Sequence, residues 1–496
     1  MEVQFEKKAI PCLQTLMRQV QTQEQTQEVR LPEGMPDIGR VVSAWGQVVL
    51  RGKEWQSERV GVSGGVMTWV LYVPEDEGIP QSIAAWIPFQ MKWEIPQSRY
   101  DGTVLAEPYL RSVDARSLSA RKLMVRVNLG ICAEAVVPSE AEVYDPGQLP
   151  DDIRLLKKVY PMCVPMEAGE KAFGIEETFS VGSVLPEQIV RCELRPQLTE
   201  WKLMTDKLVF RGAAALHVLY RGEDGQLHIW DQEVPFSQYA DLDKEYDEGC
   251  KIRMVCIVTN LELDILPEKQ LSLKAGIAGQ YCVNAQAMVQ IVADACSPER
   301  TVNAETAQLA LPSVLEEQNK VIRVEQTVDN DGLSVTDLAF YPDYPQKMTT
   351  ADRVQIQMPG AFSLLYKDED GAYQSTNAYW EENLDMEASP DAEVWASVQP
   401  VGIPQAAGGS GILMQADMAC NLQTMSGQGL PMVTGLELGE QKNPDPARPS
   451  LVLRRAGADD LWQIAKETGS TVELIQSANK LTGEPDPKQM LLIPIP

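Results

Sequence analysis

The pentapeptide Gly61-Val62-Ser63-Gly64-Gly65 fits the G-x-S-x-G pattern of a nucleophilic serine. Such a serine needs a strand-to-helix turn to lift its hydroxyl and a histidine to take its proton. The chain has two histidines, His217 and His228, and Gly65 runs into a strand-like segment, Val66–Val73. The motif is therefore expected to be a glycine-permitted bend between strands. The histidines fall in one hairpin-like segment with no third ligand nearby, which points to structural or surface roles rather than metal binding. No G-x-x-x-x-G-K-[ST] loop is present to cradle a triphosphate. The acidic runs Glu75-Asp76-Glu77 and Asp368-Glu369-Asp370 lack the alternating loop and closing glutamate that Ca²⁺ requires. They are expected at solvated hairpin tips, where they could meet a basic face of a partner. No catalytic residue, metal or cofactor is assigned.

Charge constrains the partners. With 43 Lys+Arg against 71 Asp+Glu the net charge is −28, a field that repels nucleic acid and anionic lipid. Residues 450–496 hold five basic and six acidic side chains, so the excess negative charge lies on the rest of the chain. Nine scattered cysteines form no CxxC pair and are expected as buried reduced thiols, favouring a reducing compartment. No apolar signal core opens the chain, and no run approaches the roughly 18 apolar residues of a membrane span. A cytoplasmic location without membrane insertion is the resulting expectation.

The elements that would position any site are strands arranged in a long repeat. Trp69-Val-Leu-Tyr72, His217-Val-Leu-Tyr220 and Ser363-Leu-Leu-Tyr366 each place Leu-Tyr three residues before Glu-Asp, and the tyrosines recur at spacings of 148 and 146. Pro88-Phe89 and Pro235-Phe236 follow in the first two copies only. A second strand-like run follows each hairpin, beginning at Leu123, Leu271 and Ile412. Asp224-Gly225 and Asp370-Gly371 predict two-residue hairpin turns. The period exceeds that of solenoids, so duplicated domains are expected. The reading is mainly β, with three tandem antiparallel β-sandwich or sheet modules at 1–150, 179–297 and 320–438. Linkers are expected at 151–178, 298–319 and the proline-rich 439–449.

Residues 450–496 change pattern. Leu451-Val-Leu453 predicts a strand, and Asp459 to Gly469 a helix capped by Asp460 and stopped by Gly469. Ser470-Thr-Val-Glu473 predicts a capping box for a second helix to about Asn479. Met490–Ile493 closes as a strand, giving a small α+β unit of order βααβ.

The run Gly457-Ala-Asp459-Asp460-Leu461-Trp462, with Gly469, Val472, Leu474, Asn479 and Leu492-Ile493-Pro494, resembles a LysM domain. An Asp stands at Asp460 where that family has Thr, and Lys488-Gln489 replaces its Gly-Gln. The resemblance places a binding groove, for protein or glycan, at Gly457, Asp459, Asp460, Leu461, Trp462, Asn479 and Lys480. On its helix Trp462 neighbours Leu461, Ile464 and Ala465, so partial core packing competes with ligand contact. Leu31-Pro-Glu-Gly-Met-Pro36-Asp37-Ile38, Val60–Val66, Val70-Leu-Tyr72 and Ile87-Pro-Phe89 resemble the SPOCS domain of endospore-forming bacteria, with the first copy matching best. Tandem SPOCS domains and one LysM are the arrangement of the SipL-like spore coat morphogenetic proteins. The resemblance implies a non-enzymatic scaffold in the mother-cell cytoplasm, recruited to the forespore surface. Its LysM domain would dock on a coat morphogenetic ATPase or other coat proteins. The alternative is binding of N-acetylglucosamine-containing glycan in peptidoglycan or spore cortex.

Overall fold

The computed structural model describes all residues except 1, 77, 96–101, 310, 312–313, 330–332, 351–352, 389, 409–410, 426–428, 442–448 and 496. It is mainly β, built of small antiparallel sheets, with two short helices near the C-terminus.

One pairing order occurs three times along the chain. In the first stretch the strands Ile38–Gln56, Arg59–Pro74 and Gln81–Glu94 form one sheet, and Glu6–Arg30, Lys122–Asp145 and Thr103–Ser119 form another. The second stretch repeats this with Pro186–Met204, Lys207–Gly222 and Leu227–Asp241, then Arg154–Phe179, Leu271–Cys296 and Lys251–Ile265. The third does so with Ser334–Pro342, Val354–Lys367 and Tyr373–Met386, then Val314–Asp329, Gly411–Met425 and Glu393–Gly408. Tyr72, Tyr220 and Tyr366 occupy the middle strand of the first sheet each time. Two of them make the same bond: Tyr72 donates to the Pro36 carbonyl at 3.0 Å and Tyr220 to the Val184 carbonyl at 3.1 Å.

Two expected linkers are strands. Residues 154–179 form a 26-residue strand paired along its length with Leu271–Cys296. Arg300–Leu309 and Val314–Asp329 occupy most of 298–319 and beyond. The segment holds Pro161 and Pro165 and a pair of lysines, Lys157 and Lys158, residues common in loops. However, this strand lies at a sheet edge, where proline withholds no ladder donor, and only Met162, Cys163 and Val164 in its centre are buried together. The third expected linker, 439–449, falls largely outside the described residues, although Gly439–Gln441 end the strand Leu430–Gln441.

The stretches also share cores. The far ends of the long strand pairs bury Ala141, Met162, Val164, Val289, Ile291, Leu309 and Met432 in one cluster. Glu2–Gln4 pairs with Gly435–Glu437, tying the start of the chain to the last of these strands. A larger core joins Trp45, Leu71 and Tyr72 to Val190, Leu219, Ala339 and Tyr341.

The hairpin tips differ from the two-residue turns expected. Gly222 and Gln226 bracket a three-residue loop, with the Gly222 N–H donating to the Gln226 carbonyl at 3.0 Å. Asp368 and Ala372 do the same around Glu369–Gly371, also at 3.0 Å. Gly225 and Gly371 alone carry positive φ, +74° and +77°, so each turn is a type I turn ending in a left-handed glycine.

Candidate functional site

Ser63 lies inside the continuous strand Arg59–Pro74 rather than on a strand-to-helix elbow, and its hydroxyl reaches the Gly52 carbonyl at 3.5 Å. The glycine after it has a packing reason, since a Cβ on Gly64 would fall 2.2 Å from the Val49 carbonyl oxygen. Both ring nitrogens of His217 bond aspartates, Asp231 at 2.6 Å and Asp337 at 2.9 Å, and His228 bonds Asp224 at 2.9 Å. Among the described residues, no group of three His, Cys, Asp or Glu side chains is placed to hold a metal ion. All nine cysteines are free, and six are buried.

The principal charged cluster lies where the three stretches meet, and sequence reading missed it. Asp337 accepts from Arg191 at 2.7 Å and faces His217; Glu193 pairs with both Arg191 and Arg195. Arg195 also donates to the carbonyls of Phe340 at 3.1 Å and Gly402 at 3.2 Å. Gln47 of the first stretch accepts from the Leu194 N–H at 3.2 Å. Burial works to lower the His217 pKa, but Asp337 and Asp231 outweigh it and raise the value to about 9. Burial would likewise raise Asp337; Arg191 and His217 reverse that and hold it well below the usual carboxylate range. The sequence signal was the alternation Arg191, Glu193, Arg195. It resembles a solvated strand face, yet each residue is under a tenth exposed.

A second buried group joins the same stretches. Arg253 pairs with Glu134 at 3.1 Å and stacks over Trp395 at 4.9 Å, while Arg18 donates to the Val394 and Ala396 carbonyls at 3.4 Å. Nearby, Glu107 accepts from the Ser397 hydroxyl at 2.6 Å. Burial pushes its carboxyl up to about 7, against the opposing pull of that hydroxyl. These contacts fix one stretch on the next.

At the opposite end from the shared strand-pair core, the hairpin tips converge. Ile79, Pro80, Asp224, Gly225, Asp370 and Gly371 line one cavity of about 300 Å³. Lys367 donates to Gln226 at 2.7 Å, Arg221 to the Pro80 carbonyl at 3.3 Å, and Arg40 to the Tyr373 carbonyl at 2.7 Å. Asp224 and Asp368 spend side-chain oxygens on their own turns, accepting from the Gln226 and Ala372 N–H groups at 3.0 and 2.8 Å. Glu77 of the first tip lies outside the described residues, while Glu75 and Asp76 are exposed.

The C-terminal segment runs Leu451–Arg455, helix Leu461–Thr468, helix Val472–Asn479 and strand Met490–Pro494. Asp460 caps the first helix, accepting from the Gln463 N–H at 2.7 Å, and Gly469 ends it with φ +69°. Thr471, not Ser470, caps the second. The Ser470 hydroxyl is engaged by the Pro494 carbonyl at 2.5 Å, so the cap shifts by one residue.

The predicted groove residues do not form one open surface. Leu461 is buried in the core with Ile464, Ala465, Ile475, Leu491 and Ile493. Trp462 turns its indole N–H to Asp294 of the second stretch at 2.8 Å, and Lys466 joins the same carboxylate at 2.7 Å. Asn479 clamps the final strand: its amide donates to the Leu492 carbonyl at 2.6 Å and accepts from the Leu492 N–H at 2.8 Å. Asp459 pairs with Arg454. Gly457, at φ +69°, and Lys480, a left-handed cap at φ 54°, remain exposed turn positions.

The apolar face lies elsewhere. Leu453 and Leu492 are cross-strand partners, flanked by Leu451 and Met490, and all four side chains are exposed on the outer side of the two-stranded sheet. Sequence reading missed this face: the last strand alternates exposed Met490 and Leu492 with buried Leu491 and Ile493, and Leu451 and Leu453 stand exposed on its partner.

The described residues thus form a β-rich protein with a convergent acidic pole, an apolar sheet face and buried ionic junctions between repeated stretches. Residues 186–266, spanning the strands that carry Arg191, Glu193, Arg195 and His217, match the family model described as SipL, SPOCS domain. The match falls on the second copy rather than the first, which the sequence reading favours. No curated protein and no solved structure matches the chain. No helix is long and apolar enough to cross a membrane, counting the described residues.

Proposed function

We propose that this chain is a non-enzymatic scaffold in bacterial endospore coat assembly, made of tandem SPOCS-like domains and a C-terminal LysM-type domain. The observation that carries this reading is the SipL, SPOCS domain match at 186–266. In this account the chain resides in the mother-cell cytoplasm and is recruited to the forespore surface. Its C-terminal domain docks on a coat morphogenetic ATPase, and the three β-rich stretches present further coat proteins with sheet edges and acidic tips. Attachment through several weak contacts on one rigid body gives high avidity without any single strong site.

Two features of the C-terminal segment favour protein over glycan as its ligand. Its exposed chemistry is the aliphatic face of Leu451, Leu453, Met490 and Leu492, which offers an aliphatic anchor rather than hydroxyl partners. Trp462, the aromatic ring best suited to stack on a sugar, is bound to Asp294.

Co-purification from sporulating cells, with and without residues 450–496, tests the reading. Loss of a coat ATPase on truncation supports it, and an unaltered partner list contradicts it. Retention of the full chain on insoluble peptidoglycan that is lost on removing residues 450–496 would favour the glycan alternative.

A further inference from the structure

The rim between neighbouring stretches is built differently at two equivalent places. Where the first stretch meets the second, Lys53 projects from the strand Ile38–Gln56 and closes the rim. Its ammonium bonds Glu170 at 2.5 Å and Gln280 at 2.9 Å. Glu170 and Gln280 are themselves cross-strand partners. The strand Pro186–Met204 repeats Ile38–Gln56 with an offset of 148, which puts Trp201 at the place of Lys53. In the third stretch the matching cross-strand pair is Asn319 and Asn421. An ion pair has thus been replaced by an indole and two amides, and the rim stands open as a cavity of about 380 Å³.

The lining of this cavity is specific in its chemistry. Trp201 is 41% exposed, more than a large aromatic side chain needs to be on a sheet already buried on its other face. Asn319, Asn421 and Gln423 lie on one side of the cavity with Glu317. Glu317 accepts from the Asn319 amide at 2.8 Å and is held from the far side by Lys251 at 3.5 Å, so the row is fixed. Lys202, Lys251 and Arg253 are set against Glu248 and Glu317, so the cavity presents no strong net charge despite the acidity of the whole chain.

We propose that this cavity is a carbohydrate-binding site that stacks a neutral pyranose ring on Trp201. The C–H face of a pyranose is apolar and flat, and it packs on an indole as another ring would. Its hydroxyls each donate and accept, and side-chain amides answer with one group of each kind. The volume lies at the lower end of the range for small-molecule sites and admits one or two sugar rings. A charged ligand would instead call for a surplus of one sign.

The test uses the full chain with cellotetraose, maltotetraose and chitotetraose as probes, followed by saturation-transfer NMR and by tryptophan fluorescence. At least one probe at about 10 mM should receive saturation and show a Kd in the millimolar range or below. Trp201→Ala should weaken it by about tenfold or more, Trp201→Tyr should keep most of it, and Asn421→Ala should weaken it several-fold. Trp462→Ala should leave it unchanged, which separates this cavity from the C-terminal segment. No saturation transfer to any of the three probes, or binding indifferent to Trp201→Ala, would overturn the proposal. It would also be overturned if Trp201→Ala instead abolished capture of a coat protein, which would assign the cavity to a protein side chain. Because Trp201 and Asn421 lie at the rim, circular dichroism of each variant should match that of the parent.

Discussion

The interlock around His217 makes a quantitative prediction. The ring sits between Asp337 and Asp231, with Arg191 close behind Asp337, and is almost fully buried. Its pKa rises from 6.5 to about 9 on folding, because the two carboxylates outweigh the burial that opposes them. A raised value means that the folded state holds the proton more tightly. The stabilisation is therefore complete below about pH 6.5, shrinks as pH climbs, and is gone above about pH 9. At 1.36 kcal/mol per unit the shift corresponds to about 3 kcal/mol. The perturbation is His217→Gln, which keeps a polar side chain and cannot titrate. Urea unfolding of both proteins between about pH 6 and pH 9.5 gives the stability difference at each pH. That difference should fall by about 3 kcal/mol across the range. A difference independent of pH would refute the reasoning, because it would mean that His217 does not carry a proton between the aspartates. Other groups titrate in this window, and the subtraction removes them.

Three further outcomes follow from the geometry. Glu107 titrates near 7 when folded, so its contribution to stability is lost as pH rises from about 4.5 through 7. Glu107→Gln should therefore stabilise the protein by up to about 3 kcal/mol at about pH 8 and change little near pH 4.5, measured by the same unfolding curves. Tyr72→Phe leaves the Pro36 carbonyl without its donor and should cost about 1 kcal/mol; Tyr220→Phe should match it through Val184. Asn479→Ala breaks both bonds to Leu492 and should cost about 2 kcal/mol, seen as faster amide hydrogen exchange in residues 472–494 while the strands before residue 441 are unchanged.

Sequence patterns carried local geometry further than assembly. Asp460 and Gly469 mark the ends of the first helix because a side-chain oxygen and a left-handed glycine act within one turn. The spacing of Tyr72, Tyr220 and Tyr366 likewise marks equivalent positions in three sheets. Assembly was harder to read because it buries groups that sequence patterns assign to water. Arg191, Glu193 and Arg195 look like a solvated face until the strand bearing Asp337 is brought against them. Residues 154–179 form a strand although they hold prolines and lysines, because an edge strand tolerates both. The candidate groove residues of the C-terminal segment are divided for a related reason. Leu461 and Asn479 hold that unit together, whereas the exposed leucines stand on its strands.

Docking of the C-terminal segment on a coat protein through its sheet face is what we propose. Its most direct measurement compares the full chain with the double variant Leu453→Asp, Leu492→Asp, each captured with the coat ATPase from sporulating cells. Both leucines are exposed cross-strand partners, so the variant should fold, and hydrogen exchange in the helices should confirm it. The account predicts capture by the parent chain and loss of about tenfold or more in the variant. Equal capture by both would contradict it.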